Sequence, residues 1–179
     1  MASPDMDAPP GKTYGFGPGG RCLKTGRTFA MLTNKGKYGL KAMVHLAGMP
    51  PGQPALVADI AAANAIPKKF LDAILGELRT AGFVHSKKGR GGGYVLARPA
   101  DAIMVGSIIR SLDGQLAPIG CASRAFFRRC EDCPRDRPCA VQRIMEEVRD
   151  AIAAVLDARS LTQLRQLAVV HEEPLLQDS

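Results

Sequence analysis

Residues 66–96 restrict the possible folds of this chain more than any other stretch. Gly82 follows a run of apolar residues at helical spacing, at the place where a helix commonly ends in a left-handed residue. Two short apolar segments, 83–84 and 94–96, then flank a basic, glycine-rich tip and predict a β-hairpin. A helix followed by a basic hairpin is the layout of a winged helix, which suits DNA. The helix is expected to bury one apolar stripe, formed by Phe70, Leu71, Ile74, Leu75 and Leu78.

Two further helices are predicted upstream of this stretch. One begins at Thr33 or Asn34, both good N-caps, and is stopped by the glycines and prolines of residues 48–52. The other covers 56–63 and leads through a tight turn to Pro67, which is expected to be the first residue of the next helix. Two short helices joined in this way form a helix-turn-helix. The predicted fold class is therefore mainly α with a small β-wing.

Positive charge is concentrated on the part of the chain that holds the predicted helix-turn-helix and hairpin. Residues 31–100 contain ten Lys or Arg against three Asp or Glu, whereas residues 101–179 contain ten against twelve. The whole chain has a net charge of +7. A surface that binds phosphates requires such an excess. The alternative is that these lysines and arginines only solvate the surface.

Four regions are predicted from composition and periodicity. Residues 1–30, rich in Pro and Gly, are expected to be a disordered extension, and residues 171–179 a flexible tail. Residues 31–100 form the winged helix-turn-helix domain, and residues 101–170 hold a cysteine segment and dimerisation helices. No apolar run approaches the roughly 18–20 residues that span a bilayer, and no secretory signal is visible. We therefore expect a cytoplasmic protein with no membrane partner.

A long helix is predicted from Pro138, in its first turn, to about Ala158. Its apolar stripe continues for about four turns, which is longer than a small wing domain covers by itself. We favour a dimerisation helix over a helix folded back on its own domain, because symmetric dimers let helix-turn-helix proteins span two half-sites. The stripe consists of Val141, Ile144, Met145, Val148, Ile152, Val155 and Leu156.

Four of the five cysteines lie within nineteen residues, with the spacing C-x(8)-C-x(2)-C-x(5)-C. In a cytoplasmic chain, such a cluster indicates a metal, cluster or redox site before a disulfide framework. A thiol or disulfide switch would use Cys130 and Cys133. Structural zinc needs four such ligands, although the C-x(2)-C pair occurs once. Neighbouring arginines are expected to lower the pKa of the thiols; these are Arg124, Arg128, Arg129, Arg135 and Arg137.

An enzymatic role for the cysteines is disfavoured. A thiol oxidoreductase built on residues 130–133 would need a strand–helix–strand context that the sequence lacks. No carboxylate pair, Ser/His/Asp set or phosphate-binding glycine loop is visible, since the triple glycine follows a basic turn and precedes a strand. We predict no catalytic residues.

Several distinctive blocks occur in one order along the chain: MLTNKGKYGLKAM, PKKFLDAILGELRTAGFV, SKKGRGGGYVLARP and IIRSLDG. With these blocks, residues 31 to about 168 resemble the Rrf2 family of bacterial winged-helix transcription regulators. The resemblance implies a homodimeric regulator, expected to be a repressor, that binds double-stranded DNA at a palindromic operator. It also implies a sensory loop just before the long dimer helix, and leaves open action through a partner protein of cysteine metabolism.

The resemblance assigns DNA contacts to three parts of the sequence. The first helix would place Thr33, Lys35 and Tyr38 near phosphates. The recognition helix would direct Lys68, Lys69 and Asp72 into the major groove, where Lys bonds guanine acceptors and Asp accepts from cytosine N4. A single lysine more often contacts a DNA phosphate, which does not distinguish one base sequence from another, than a base edge. The wing would enter a narrow minor groove with Lys87, Lys88, Arg90, Gly91 and Gly92.

For the cysteines, the resemblance implies an iron–sulfur cluster of the [2Fe-2S] or [4Fe-4S] type. In the iron–sulfur members of the family three cysteines are ligands, and Cys121, Cys133 and Cys139 match them. Some members complete the set with a histidine three residues after the last cysteine, where this chain has Gln142. Cys130 would then supply the fourth thiolate. Zinc or no cofactor are the alternatives.

Overall fold

The computed structural model describes residues 32–89, 91–114, 116–130, 133 and 138–170, without the side chains of 168–170. The predicted N-terminal extension and C-terminal tail lie outside these ranges. No helix within them is long and apolar enough to cross a membrane. The regular elements are α1 Asn34–Gly48, α2 Val57–Asn64, α3 Lys68–Thr80, β1 Val84–Lys87, β2 Gly93–Leu96, α4 Val105–Asp113, α5 Ala140–Asp157 and α6 Leu161–Val170, with short 3-10 turns at Ala100–Ala102 and Gly120–Ala122.

The first three helices form the helix-turn-helix that the sequence predicts. Thr33 caps α1, because its side-chain oxygen accepts hydrogen bonds from the backbone N–H groups of Lys35 and Gly36 at 3.1 and 3.3 Å. Between α2 and α3, Ala65 adopts a left-handed backbone conformation with φ 52°. Pro67 precedes α3 as its cap instead of being its first residue, since its backbone is still extended with ψ 122°.

One hydrophobic core joins α1–α4 to the start of α6 and to β1. The predicted stripe of α3 is confirmed with one correction, which concerns Phe70. This side chain is 43% exposed and contacts the edge of Tyr38, with ring centroids 5.8 Å apart. It lies beside the buried face, which is formed by its four partners alone. The largest fully buried side chains are Met43, Ile60, Leu71, Ile74, Leu75, Leu78, Ile103, Ile108, Leu161 and Val84.

The wing is a two-stranded antiparallel sheet, with Val84 opposite Leu96 and Lys87 opposite Gly93. Ala55 extends this sheet from the α1–α2 loop, because it exchanges backbone hydrogen bonds of 3.0 and 2.9 Å with Tyr94. A Cβ atom on Gly93 would lie 2.3 Å from the Ala55 oxygen, so only glycine permits this close approach. The wing is therefore fastened to the loop after α1 as well as to α3.

The sequence predicted that Phe83 lies within the first strand. In the structure, Phe83 is buried directly before β1, which begins at Val84. The guanidinium carbon of Arg98 lies 5.2 Å from the centroid of its ring, which is a cation–π contact. The N–H of Ala97 donates to the Phe83 carbonyl at 2.9 Å. This side of the wing is thus closed by an aromatic ring that reaches the core and an arginine that covers it.

The chain after the wing returns to the core through α4 and α6. The N–H of Leu161 donates to Ile103 at 2.8 Å, and the N–H of Val105 donates to Arg159 at 2.9 Å. These bonds hold the start of α6 beside the start of α4. Both helices pack against α1. α4 also contacts α5, and it is therefore the element between the winged helix and the long helix.

The long helix begins at Ala140, with Cys139 as its N-cap residue and Pro138 one residue before it, instead of within the predicted first turn. Its predicted stripe is divided between two environments. Ile152 and Leu156 pack against a small cluster of Val105, Ile109 and Leu116. No residue of α5 is fully buried. Met145 is half-buried, and the four other side chains of the stripe are exposed, with exposed fractions of 61% for Val141, 49% for Ile144, 36% for Val148 and 61% for Val155.

Candidate nucleic-acid interface and cysteine site

The start of α3 presents exposed polar side chains outside its buried face. Lys68, Lys69 and Asp72 are all exposed, and the first turn holds two cations and no acid. The turn before them is held by Ile66, which is 4% exposed and whose N–H donates to the Ala61 carbonyl at 3.0 Å. The sequence therefore places two basic side chains on a rigid helix end. This is the arrangement that a recognition helix needs.

In the wing, Lys88 is exposed, whereas the ammonium group of Lys87 donates to the Gly52 carbonyl at 2.7 Å. Gly91 has φ 82°, a conformation that favours glycine. A Cβ atom on Gly92 would lie 2.4 Å from the Lys87 carbonyl oxygen, so this glycine is required by the turn itself. Arg90, which the sequence analysis assigned to the same tip, lies outside the described residues.

At the start of α1, the three predicted phosphate contacts already have partners within the chain. The hydroxyl of Thr33 donates to Asp113, and its backbone N–H donates to the other carboxylate oxygen at 2.9 Å. The ammonium group of Lys35 lies 3.0 Å from the Glu77 carboxylate of α3. Tyr38 packs edge-on against Phe70. The sequence analysis did not single out Glu77 or Asp113, because Glu77 is 42 residues away from Lys35 and Asp113 is 80 residues away from Thr33.

The four clustered cysteines come together in space. The sulfur of Cys130 lies 3.5 Å from that of Cys121, and the sulfur of Cys133 lies 4.0 Å from that of Cys139. Cys133 is also hydrogen-bonded to Cys130, which connects the two pairs. Cys121 is buried in the 3-10 turn before Arg124, whereas the other three thiols are half-buried.

The expected lowering of thiol pKa values is wrong for Cys133. Desolvation by burial, together with hydrogen bonds to Cys139 and Cys130, raises the pKa of Cys133 to about 11. Arg124 does not act on this thiol, because its guanidinium pairs with Asp150 at 3.1 Å. Arg135 and Arg137 lie outside the described residues.

The cysteine segment is attached to α5 by charged side chains. The guanidinium of Arg149 donates to the Ala122 carbonyl, directly after Cys121, and also to the Asp150 carboxylate at 2.8 and 2.9 Å. The hydrogen bond from Arg149 lowers the pKa of Asp150 below its usual 3.8. The turn that holds Cys121 is therefore linked to the long helix through Arg149, a side chain that is only 13% exposed.

Gln142, at the position of the family's histidine ligand, faces along α5. Its amide nitrogen donates to Glu146 at 3.0 Å, one helical turn further on. Across the part of the chain that the structure describes, no group of three or more His, Cys, Asp or Glu side chains is arranged to hold a metal ion. The thiols contact one another in this conformation. Two thiolates on one tetrahedral metal ion lie about 3.8 Å apart, so the pairwise separations of 3.5 and 4.0 Å suit thiol chemistry and a pair of metal ligands alike.

Residues 32–166 match the model of the Rrf2 family, described as iron-dependent transcriptional regulator. The chain belongs to the Rrf2 family. It is 34% identical to the HTH-type transcriptional regulator CymR of Bacillus subtilis over 133 residues, which cover 74% of this chain and 88% of CymR. It is also 30% identical to the HTH-type transcriptional regulator IscR of Yersinia pseudotuberculosis, over 74% of this chain and 77% of IscR.

The fold agrees with solved structures of the same two kinds of regulator. The structure of CymR, the global cysteine regulator of B. subtilis, superposes with a TM-score of 0.64 at 33% identity, over 76% of this chain and 96% of CymR. The structure of T. potens IscR gives a TM-score of 0.62 at 28% identity, over 86% of this chain and 97% of that chain. This Rrf2 protein is therefore a winged-helix, DNA-binding transcriptional regulator and not an enzyme.

Proposed function

We propose that this Rrf2 regulator is a homodimeric repressor whose affinity for a palindromic operator is set by the chemical state of Cys121, Cys130, Cys133 and Cys139. The recognition helix α3 and the wing would bind DNA, and the cysteine segment would sense the signal that changes the affinity. Two states of the segment would hold the two recognition helices of a dimer at different spacing. This assignment joins the family's DNA binding to a cysteine site that the fold brings together.

The observation that carries the proposal is the meeting of the four thiols in two pairs. The sulfur separations are 3.5 Å for Cys121 with Cys130 and 4.0 Å for Cys133 with Cys139, and a hydrogen bond between Cys133 and Cys130 links the pairs. The paired residues are nine and six positions apart along an irregular segment, so the fold of that segment brings their sulfurs together. Buried and half-buried thiols in a single group are suited to bind a soft metal or to exchange disulfides. Inert structural cysteines have no reason to collect.

The donor set fits an iron–sulfur cluster by its chemistry, because it consists of four free thiols, the ligand type that holds such clusters. Cys121, Cys133 and Cys139 would hold the cluster, and Cys130 would take the position left open by Gln142. A bound cluster supplies a redox-active, oxidant-sensitive group. The family description as iron-dependent and the similarity to IscR support this assignment.

A thiol switch is the second candidate, and the short Cys121–Cys130 separation favours it. Only about 1.5 Å of movement separates these sulfurs from the roughly 2 Å bond of a disulfide. An oxidant such as a peroxide or diamide would take two electrons and two protons from the thiols of Cys121 and Cys130, and the disulfide formed would pull on the 3-10 turn that Arg149 holds against α5. The pair suggested by sequence spacing, Cys130 with Cys133, competes with this one. The similarity to Staphylococcus aureus CymR, of which an oxidized form has been solved at 31% identity to this chain, supports a thiol-based variant.

Dimerisation through α5 is supported by the apolar surface that the single chain leaves exposed. Four side chains of the stripe expose between 36% and 61% of their area, and surfaces of this kind mark protein interfaces. Within the proposal, Lys68, Lys69 and Asp72 contact base edges, while Lys87, Lys88 and the wing glycines approach the minor groove. Thr33, Lys35 and Tyr38 lie near phosphates at the start of α1.

The first experiment identifies what the cysteines hold. Protein purified without oxygen is analysed for iron, zinc and acid-labile sulfide, and its absorption spectrum is recorded. Stoichiometric sulfide with visible absorption supports a cluster, and stoichiometric zinc without sulfide supports a structural metal. Protein that contains no stoichiometric sulfide or zinc supports the thiol switch. Cys121→Ser is compared with Cys22→Ser, because Cys22 lies outside the four-cysteine group and serves as the matched control.

The second experiment connects this site to DNA. A duplex selected by the wild-type protein from a random-sequence pool is titrated with as-isolated, metal-free and diamide-oxidised protein. We expect affinities that differ by at least about tenfold between two of these forms. Equal affinities in all three would refute control by the cysteines while leaving DNA binding intact.

A further inference from the structure

The C-terminal end of α4 is locked to the N-terminal end of α1 by a single carboxylate. Both oxygens of Asp113 are used: one accepts from the backbone N–H of Thr33 at 2.9 Å, and the other accepts from the Thr33 hydroxyl. Thr33 in turn caps α1 through its bonds to Lys35 and Gly36. One acid therefore fixes the residue that begins the first helix, from a position 80 residues away in the sequence.

Gly36 shows how closely the two helices approach at this lock. A Cβ atom at this position would lie 2.3 Å from a carboxylate oxygen of Asp113 and 2.9 Å from its carbon. Since Gly36 has an ordinary helical backbone, the glycine is required by the carboxylate and not by its own conformation. The contact between Asp113 of α4 and Thr33 at the start of α1 therefore depends on a glycine at position 36, where a larger residue would collide with the carboxylate.

The position of Asp113 connects the two functional parts of the protein. On one side, the lock holds the turn that carries Lys35, whose ammonium group is also held by Glu77 of the recognition helix. On the other side, Asp113 is the last residue of α4, and the chain from Gly114 leads directly to Cys121. Gly114 has φ 89°, and a Cβ atom on it would lie 3.7 Å from the ring of Phe126, within the cysteine segment.

We propose that Asp113 is a positioning residue that transmits the state of the cysteine segment to the DNA-facing start of α1. The inference rests on the proposed control of DNA binding by the cysteines. A rearrangement around Cys121 displaces the end of α4, and Asp113 moves the Thr33 cap with it. Lys35 then changes its position relative to the phosphate that it contacts. The carboxylate acts through Thr33 and does not itself touch DNA.

The test uses three variants of the full chain. Asp113→Asn keeps the size of the side chain but replaces one acceptor oxygen by a donor that faces the Thr33 N–H or hydroxyl. Gly36→Ala displaces the carboxylate without changing either partner of the lock. Asp101→Asn is the matched control, because it removes the same charge from an exposed turn. Each protein is checked for folding by circular dichroism and for its oligomeric state by gel filtration.

The measured quantities are the affinity for the selected duplex in the reduced state and its ratio to the affinity in the responsive state found for the wild type. We expect Asp113→Asn and Gly36→Ala to bind the reduced state about fivefold more weakly, a loss of the size that follows removal of a helix cap. We also expect the ratio between states to fall towards one. Asp101→Asn keeps both wild-type values.

Three outcomes would overturn the inference. Wild-type affinity in Asp113→Asn would show that the lock does not position the DNA-binding surface. Weaker binding with an unchanged ratio would show a purely structural role. A wild-type ratio of one would refute control by the cysteines itself, and this result is distinguishable because it concerns the unmodified protein. If Gly36→Ala does not fold, Asp113→Asn alone decides between these outcomes.

Discussion

Replacement of Glu77 by Gln should increase the affinity for DNA. In the free protein, the carboxylate of Glu77 lies 3.0 Å from the ammonium group of Lys35, which is proposed to contact a phosphate. A phosphate on the other side of that ammonium group would lie about 6 Å from the carboxylate, because each contact spans roughly 3 Å. The two negative charges then repel each other, so the acid reduces the affinity that Lys35 provides.

Coulomb's law gives the expected magnitude. At about 6 Å, two unit charges repel by about 0.7 kcal/mol at a dielectric constant near 80, and by about 1.4 kcal/mol near 40. Glu77→Gln should therefore tighten binding about three- to tenfold at low salt. The ion pair is exposed, with 33% and 47% of the side chains accessible, and such pairs stabilise the fold by less than about 1 kcal/mol. The gain in affinity should therefore come without a large loss of stability.

The assay is fluorescence anisotropy with the selected duplex at several salt concentrations, and the gain should shrink as salt screens the repulsion. Glu147→Gln is the matched control, because it removes the same charge from an exposed position of α5. The reasoning is refuted if Glu77→Gln binds no tighter than wild type, or if Glu147→Gln gives an equal gain. Lys35→Gln provides a further check, since in that background the effect of Glu77→Gln should largely disappear.

Three other substitutions have defined outcomes. Ala65→Gly should raise the melting temperature, because relief of the left-handed alanine gains about 1–2 kcal/mol and the more flexible unfolded chain offsets about half of it; the exposed Ala63→Gly, within α2, should lower it. Gly92→Ala should weaken DNA binding with little change in melting temperature, since the new Cβ would lie 2.4 Å from a backbone oxygen of the wing tip; an unchanged affinity would argue against the wing as a contact. Asp150→Asn should lower the melting temperature at neutral pH, because Arg149 lowers the pKa of this carboxyl and the ionised form stabilises the fold above pH 3.8. That difference should vanish as the pH falls through the lower folded value, and a pH-independent difference would contradict the assignment.

Much of the winged helix is determined locally and was predictable from the sequence. The apolar stripe of α3 and the capping hydroxyl of Thr33 act within one or two helical turns. The glycine-rich tip between two short strands likewise specifies a hairpin through neighbouring residues. Phe70 was assigned wrongly, because a period of 3.6 does not decide which side of a stripe meets a partner and which side remains exposed.

Other features depend on contacts between distant residues, and no local pattern encodes them. Asp113 reads in the sequence as the end of a helix, and only the fold brings it to Thr33. The raised pKa of Cys133 was missed for the same reason, since a count of nearby arginines does not show that this thiol is desolvated and hydrogen-bonded to Cys139 and Cys130.

The sequence by itself therefore determined the fold class, the concentration of basic charge on residues 31–100 and the presence of a four-cysteine group. These properties follow from residue type and spacing along one segment. The tertiary structure decided which sulfurs meet, which part of the α5 stripe rests on its own chain, and which acid locks α4 to α1. Such contacts depend on how helices pack, and packing is set by the whole core at once.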